Sequence, residues 1–350
     1  MKLQKKINSF DKGLLYKLKW SRLLYKYERF GELREKFFPE SNFLMRFYYV
    51  IDYLLSFVFY GASINDYFMY DFYKLRPNGR KEFITYRKFH KIMDICNRKD
   101  SIKYFRDKSE FNKRFAAYLH RDSIDLNETS LEAFKSFFEK HGDVFIKEVL
   151  GFRGSSVKMY SKDDCDLESL YNSLKADKNG HYLAEGRLIE HNELAEFHPS
   201  SVNTLRFVTV YDDKRDLVHF MSCRIRIGNK GNHVDNFHYA GIGANIDVET
   251  GIICSVGYDS TDAEYLIHPM TGKQIIGFKI PQWEECKKFV EECVRIVPEV
   301  RYVGWDVVIL SDGTFALIEA NDNADHDFQQ LHYRGMWKDY RDILQNLKRF

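Results

Sequence analysis

Through the first hundred positions apolar residues recur at three- and four-residue spacing, dense in Leu, Tyr and Phe, with few turn signals before Arg76-Pro77-Asn78-Gly79-Arg80. This pattern predicts a helical region over 1–104, without alternating strands or a glycine-rich turn between strand and helix. From about Lys103 the texture changes. Residues 109–119 place Phe111, Phe115 and Leu119 four apart and predict a helix. Residues 131–140 predict a second, with Thr129 or Ser130 as N-cap and Gly142 just past its end. Strands are predicted over 143–149 and 157–160, then a short helix over 166–175 and a strand with its connection over 182–190. Residues 202–211 and 217–227 read as strong strands around the turn Asp212-Asp213-Lys214. The polar, Gly-rich stretch 233–247 reads as a loop, 282–297 as an amphipathic helix stopped by Pro298, and 336–348 as a closing surface helix.

Two apolar runs, VGWDVVIL (303–310) and FALIEAN (315–321), flank Asp312-Gly313, a strong hairpin signal. With those two residues as the loop, Leu310 faces Phe315, Val308 faces Leu317 and Asp306 faces Glu319. Asn321 then points to the same side as Glu319, because side chains alternate along a strand. Like charges facing across a ladder repel, and burying them is costly. A divalent cation offsets both, and hard oxygen ligands suit Mg²⁺. A solvated hairpin end fits the same pattern, so the rest of the chain has to decide.

Lys147 lies on a predicted strand that runs into the loop Gly151, Gly154, Ser155, Ser156. Glycines let backbone N–H groups approach a phosphate and the ammonium adds a point charge. No GK[ST] follows, so this is no Walker motif, and an ordinary hairpin loop reads alike. Arg224 and Arg226, two apart on a strand, share one face while Met221, Cys223, Ile225 and Ile227 line the other. Two guanidiniums on one face suit anionic groups; a solvated face gives the same pattern.

Composition narrows the classes. The 350 residues hold 53 Lys+Arg against 51 Asp+Glu, and a net charge of +2 gives no case for a nucleic-acid partner. Six cysteines without a CxxC pair point to a reducing, cytoplasmic compartment. The basic start of the chain lacks the apolar core of a signal peptide. Residues 47–62 are apolar but carry Asp52 and fall short of the roughly 20 residues of a membrane span, which predicts a buried helix. The lysines ahead of it leave peripheral contact with the inner face of a membrane open.

In order, the chain shows a lysine before a helix, a lysine on a strand before a Gly/Ser loop, a hinge-like strand with a glutamate, a strand with an arginine, and a late D…ExN hairpin. Together with HPSSVNTLRFVTV (198–210), DNFHYAGIGANID (235–247) and GWDVVILSDGTFALIEANDNADHDFQQ (304–330), this set resembles the ATP-grasp superfamily. More narrowly, it resembles the sugar-transfer-associated ATP-grasp family, related to α-L-glutamate ligases, over roughly 105–335. The resemblance implies an α+β fold in which two subdomains, about 105–190 (a lid) and 191–350 (catalytic), grip ATP between antiparallel sheets behind the helical N-terminal region.

Matched residue by residue, Lys108 and Lys147 would bind ATP, and Gly151, Gly154, Ser155 and Ser156 would close over its phosphates. Glu185 would lie near the adenine and Asn323 near the phosphates. Arg206, with Lys147, would support phosphoryl transfer. Asp306, Glu319 and Asn321 would hold Mg²⁺, or Mn²⁺ in its place. Arg224, Arg226, Asn236 and His238 are the candidates for holding substrate. The implied reaction activates a carboxylate with the ATP γ-phosphate for attack by an amine, in surface polysaccharide or glycan modification. A kinase on the same nucleotide site and a non-catalytic scaffold are the alternatives. Two departures stand: a helical, aromatic-rich region replaces the usual opening α/β subdomain, and no arginine precedes Asp306 as in D-alanine–D-alanine ligases.

Overall fold

A computed structural model of the chain describes residues 28–149, 157–177, 180–229, 241–330 and 334–347. Eleven strands are named in it: β1 (Ser123–Asp125), β2 (Asp143–Glu148), β3 (Val157–Ser161), β4 (Tyr182–Gly186), β5 (Thr204–Asp212), β6 (Leu217–Ile227), β7 (Ile242–Ile246), β8 (Gly257–Tyr258), β9 (Glu264–Tyr265), β10 (Tyr302–Ile309) and β11 (Phe315–Asn321). They form two sheets, ordered β1-β4-β2-β3 and β11-β10-β5-β6-β7-β8-β9. Every pairing in both is antiparallel.

The larger sheet is two-faced because its strands alternate. Trp305, Phe207, Cys223 and Ile246 stand in register across β10, β5, β6 and β7. All four join the core that includes Trp283, Cys286, Val290 and Cys293 of the helix Trp283–Val294. Cys286 and Cys293, seven apart, share the buried stripe their spacing predicts. The Phe207 and Trp283 rings stack with centroids 5.2 Å apart, and the buried Trp305 Nε1 donates to Thr209 Oγ1 at 2.9 Å. On the opposite face of the same strands lies a polar row, described below.

The smaller sheet packs Val144, Ile146 and Ala184 with Phe134 and Phe138 of the helix Leu131–His141. Ser130 Oγ caps that helix by accepting from Ala133 N at 3.3 Å, and Gly142 ends it at φ 68°.

Several expected elements shift. The helix expected over 109–119 breaks at Phe115 (φ −103°, ψ 18°) into Lys108–Arg114 and Ala116–Leu119. Its start is set by Asp107, whose carboxylate accepts from Ser109 N at 2.9 Å and Glu110 N at 3.1 Å. Strand β7 lies within the stretch read as a loop: Ile242, Ala244 and Ile246 alternate into the core while Asn245 faces the other way. The three-residue β1 is too short to show a period in sequence.

Two compact units divide the chain, Met1–Lys91 with His326–Lys338, and Ile92–Asp325 with Asp339–Phe350. This boundary precedes the texture change near Lys103 because the intervening segment pairs within the second unit. Arg98 N donates to Glu299 O and Arg301 N to Cys96 O, while Asn97 Nδ2 donates to Tyr302 O at 2.9 Å.

In the first unit the expectation of a buried apolar helix fails. Helix Phe43–Tyr60 buries Tyr49, Asp52 and Ser56 and leaves most of its apolar side chains exposed. Its polar residues turn inward because partners wait there. Arg80 donates to both Asp52 oxygens at 2.8 and 2.9 Å and to Ser56 Oγ at 2.9 Å, and Tyr67 Oη donates to Asp52 at 2.8 Å.

Candidate functional site

The hairpin brings Asp306 opposite Glu319, but not by the route that counting suggests. Gly313 N donates to Leu310 O at 3.0 Å and Leu310 N to Thr314 O at 2.8 Å, so the loop is Ser311-Asp312-Gly313 with Gly313 left-handed at φ 82°. Three-residue loops closed by a left-handed glycine are a common alternative to the two-residue turn. Leu310 therefore faces Thr314, not Phe315, and Val308 faces Ala316, not Leu317. A bulge between Asp306 and Val307 then returns the register to Asp306↔Glu319. Two one-residue offsets cancel.

Asp306 also faces Arg206 on β5, Arg206 faces Arg224 on β6, and Arg224 faces Asn245 on β7. Glu319, Asp306, Arg206, Arg224 and Asn245 thus form one polar row across five strands, on the face away from the Trp305 core. Arg226 stands two residues along from Arg224. Arg206 grips Asp306 with Nε on Oδ1 and Nη2 on Oδ2 at 2.6 Å, and Arg226 Nη1 reaches Oδ2 at 2.8 Å. Arg224 Nε donates to Asn245 Oδ1 at 2.6 Å.

Burial works against ionising Asp306, yet Arg206 and Arg226 more than offset it and hold the carboxyl down at about 2. Glu319 moves the other way, raised by its packed surroundings and then by the Asp306 charge, against Arg206 and Arg226. Its side chain is nevertheless 49% accessible, and Arg206 Nη2 stands 3.6 Å from it. Solvent at this half-open side chain damps the rise. Asn321 Nδ2 donates to Glu319 Oε1 at 3.2 Å, which puts the amide on the expected side.

Asn323 is exposed in the turn after β11. That turn is pinned on either side of it. Asn97 Nδ2 donates to Asp322 O at 2.8 Å, Arg106 pairs with the Asp322 carboxylate at 2.9 and 3.1 Å, and Tyr302 Oη donates to Ala324 O at 2.6 Å.

On the smaller sheet Lys147 Nζ pairs with the buried Glu185 at 2.6 Å. Arg121 donates to the same carboxylate, from Nε at 2.8 Å and Nη2 at 3.2 Å. Burial raises the Glu185 pKa, and Arg121 and Lys147 overcome it, so the group lies well below the usual carboxylate range. Arg121 also donates to the carbonyls of Leu317 at 2.6 Å and Ile318 at 3.0 Å. Those carbonyls sit where the bulge leaves β11 out of register, so one guanidinium joins the two sheets. Nothing around Arg121 in the sequence marks it, because its partners lie 64 and 196 residues away.

Lys108 Nζ donates to Glu148 O. Its pKa is lowered by burial and then by the Lys147 charge, while Glu319, Glu185 and Glu148 pull it back up. Lys108 therefore feels Lys147 and Glu185 of one sheet and Glu319 of the other at once. Gly151, Gly154, Ser155 and Ser156, and Asn236 and His238, lie outside the described residues.

The donors facing one another at the hairpin are two carboxylates and an amide. Among the described residues no group of three or more His, Cys, Asp or Glu could hold a metal. That does not argue against Mg²⁺, which is commonly bound by one or two carboxylates with substrate phosphates completing its shell. Asp306 and Glu319 fit that demand: the two carboxylates face each other across the ladder, and a cation between them would offset their repulsion. Asp306 Oδ2 takes two guanidinium donors and Oδ1 takes one, which leaves the second lone pair of Oδ1 and the Glu319 oxygens for the ion.

The sequence matches the family model described as "Sugar-transfer associated ATP-grasp" over residues 97–344, more than half of the chain. No curated protein matches it. Among solved structures it aligns with the ATP-grasp ligase PsnB complexed with a minimal precursor (15% identity, TM-score 0.44, covering 71% of this chain and 62% of that one). It also aligns with D-alanyl-alanine synthetase A from Vibrio cholerae (10%, 0.42, 71% and 62%) and the L-amino acid ligase from Bacillus licheniformis (13%, 0.39, 63% and 41%). The chain thus spans less than two thirds of the length of these proteins. Two antiparallel sheets in one unit, a helical N-terminal region and the family match agree with the α+β fold the resemblance implies, and the chain belongs to the sugar-transfer-associated ATP-grasp family.

Proposed function

We propose that the chain is an ATP- and Mg²⁺-dependent, ADP-forming ligase that joins a carboxylate to an amine. The observation that carries this reading is Arg121, which donates to Glu185 beside Lys147 on one sheet and to the carbonyls of Leu317 and Ile318, just ahead of Glu319, on the other. Cations from one sheet and acids from the other then face a single space, and a nucleotide triphosphate with its metal has the matching charges. In this reading Lys108 and Lys147 hold the phosphates, with Gly151, Gly154, Ser155 and Ser156 closing over them, Asn323 beside them and Glu185 toward the base. Asp306, Glu319 and Asn321 hold the metal, which supplies charge neutralisation for the phosphates when bound.

Arg206, fixed on Asp306, presents its guanidinium to the γ-phosphate as negative charge shifts onto the transferring oxygens. Arg224, Arg226, Asn236 and His238 orient the carboxylate substrate. Its oxygen attacks the γ-phosphorus, ADP leaves, and the acylphosphate is attacked at its carbonyl carbon by the amine, which loses a proton as phosphate departs. Positioning and charge stabilisation supply the rate, with no protein nucleophile. The family's description supports sugar-linked acids or amines as substrates, and we place the reaction in surface polysaccharide or glycan modification at the cytoplasmic side of the membrane as part of the same proposal.

The test is ADP release with paired sugar acids, amino acids and amino sugars, run with hydroxylamine. ADP release that needs a carboxylate and yields a hydroxamate is the expected result. A phosphorylated product with no hydroxamate makes the protein a kinase, and no ADP with any pair makes it a scaffold.

A further inference from the structure

Helix Phe43–Tyr60 is built inside out. Every exposed position in it carries Phe, Leu, Met, Tyr, Ile or Val, with Phe43 at 80% and Phe59 at 72% of full exposure. Its one acid, Asp52, and Ser56 are buried on Arg80 and Tyr67. A helix packed on a soluble core presents the opposite arrangement, apolar inward and charged outward. Apolar area on this scale marks an interaction surface.

The shape and charge of the surface favour lipid. Phe57, Leu54, Ile51, Leu55 and Phe59 follow one another around the helix through roughly 200° at 100° per residue. A partner helix covers a stripe of about 100°, whereas a bilayer surface accepts the wide arc. Ahead of the helix, residues 1–27 contain seven lysines and one arginine against the single acid Asp11, which complements anionic headgroups.

By length and composition the helix could cross a bilayer, but its surroundings favour lying flat. Its 18 residues span about 27 Å, short of the roughly 30 Å hydrocarbon core. Its ends are closed: Asn42 Oδ1 accepts from Met45 N at 3.0 Å, Gly61 turns left-handed, and the Ser63/Asp66 capping box starts the next helix at once. A crossing helix would also drag the Asp52–Arg80 pair to mid-bilayer. We propose that helix Phe43–Tyr60 lies in the surface of an anionic bilayer, its apolar arc in the acyl boundary and its Asp52 side held by the protein.

The test is flotation of the full chain with phosphatidylcholine vesicles, with and without phosphatidylglycerol. It is compared with an Ile51→Glu/Leu54→Glu variant that leaves Asp52, Arg80 and Tyr67 untouched. We expect binding that needs phosphatidylglycerol and weakens with salt, and that falls by at least about tenfold in the variant. Circular dichroism and the unfolding midpoint should be unchanged. Absence of vesicle binding, binding indifferent to phosphatidylglycerol, or full binding by the variant overturns the proposal. A concentration-dependent dimer abolished by the same substitutions, without vesicle binding, assigns the surface to a second copy instead.

Discussion

Glu185 shows how the site's charges are held before any ligand arrives. Its carboxylate is buried and compensated by Lys147 at 2.6 Å and Arg121 at 2.8 Å. Its folded pKa is depressed, so the stability it contributes is present above the unfolded value near 4.5 and is lost as pH falls below it. Glu185→Gln leaves Arg121 and Lys147 without their carboxylate and should cost about 3 kcal/mol at neutral pH. Denaturant unfolding across pH should show that deficit constant above about pH 4.5 and shrinking progressively below it, as wild type loses the same contribution toward the depressed folded pKa. A deficit independent of pH would mean that packing, not charge, accounts for the loss. Arg121 is the counterpart. Arg121→Met removes the strongest partner of Glu185 and the donor to two carbonyls of β11. It should lower stability by about 3–5 kcal/mol, whereas Arg121→Lys should recover part of it by restoring the charge. Equal losses in the two variants would contradict an electrostatic role.

At the scale of elements, the β10–β11 hairpin and the turn after it are what aim the acids. Gly304 on β10 has no side chain where Ala324 folds back: a Cβ there would stand 2.7 Å from Ala324 Cβ and 3.4 Å from Arg206 Cδ. Gly304→Ala must displace the turn carrying Asn323, or Arg206, or both. The expected outcome is a loss of about 1–3 kcal/mol in denaturant unfolding, with ADP release reduced more than that loss of fold explains. Wild-type ADP release in a folded variant would show that the close approach does not position the site. The hairpin also shows what was legible in sequence. Asp312-Gly313 named the turn and period two named the facing acids, but the turn takes three residues and the bulge absorbs one. Loop type depends on Gly313 being left-handed, and the bulge coincides with carbonyls taken by Arg121. Neither is written in local pattern.

Over the whole molecule, the sequence carried local features and missed distant ones. Order of motifs along the chain pointed to the family, and alternation in β6 pointed to a strand with one polar and one apolar face. The two-residue spacing puts Arg226 beside Arg224 on one face but could not name Asp306, 80 residues away, to which it donates. Apolar content named helix Phe43–Tyr60 but could not say which way it faces; Asp52 decides that, by finding Arg80 28 residues on. The central claim is that Lys108, Lys147 of the smaller sheet, and Asp306 and Glu319 of the larger share one metal–nucleotide site. Equilibrium binding of ATP, with Mg²⁺ or with EDTA, to wild type and to Glu319→Gln tests it without knowing the acceptor. The account predicts that Mg²⁺ tightens ATP binding to wild type by at least about tenfold. Glu319→Gln should lose most of that gain while binding ATP in EDTA about as wild type does. Equal tightening by Mg²⁺ in both proteins would contradict it.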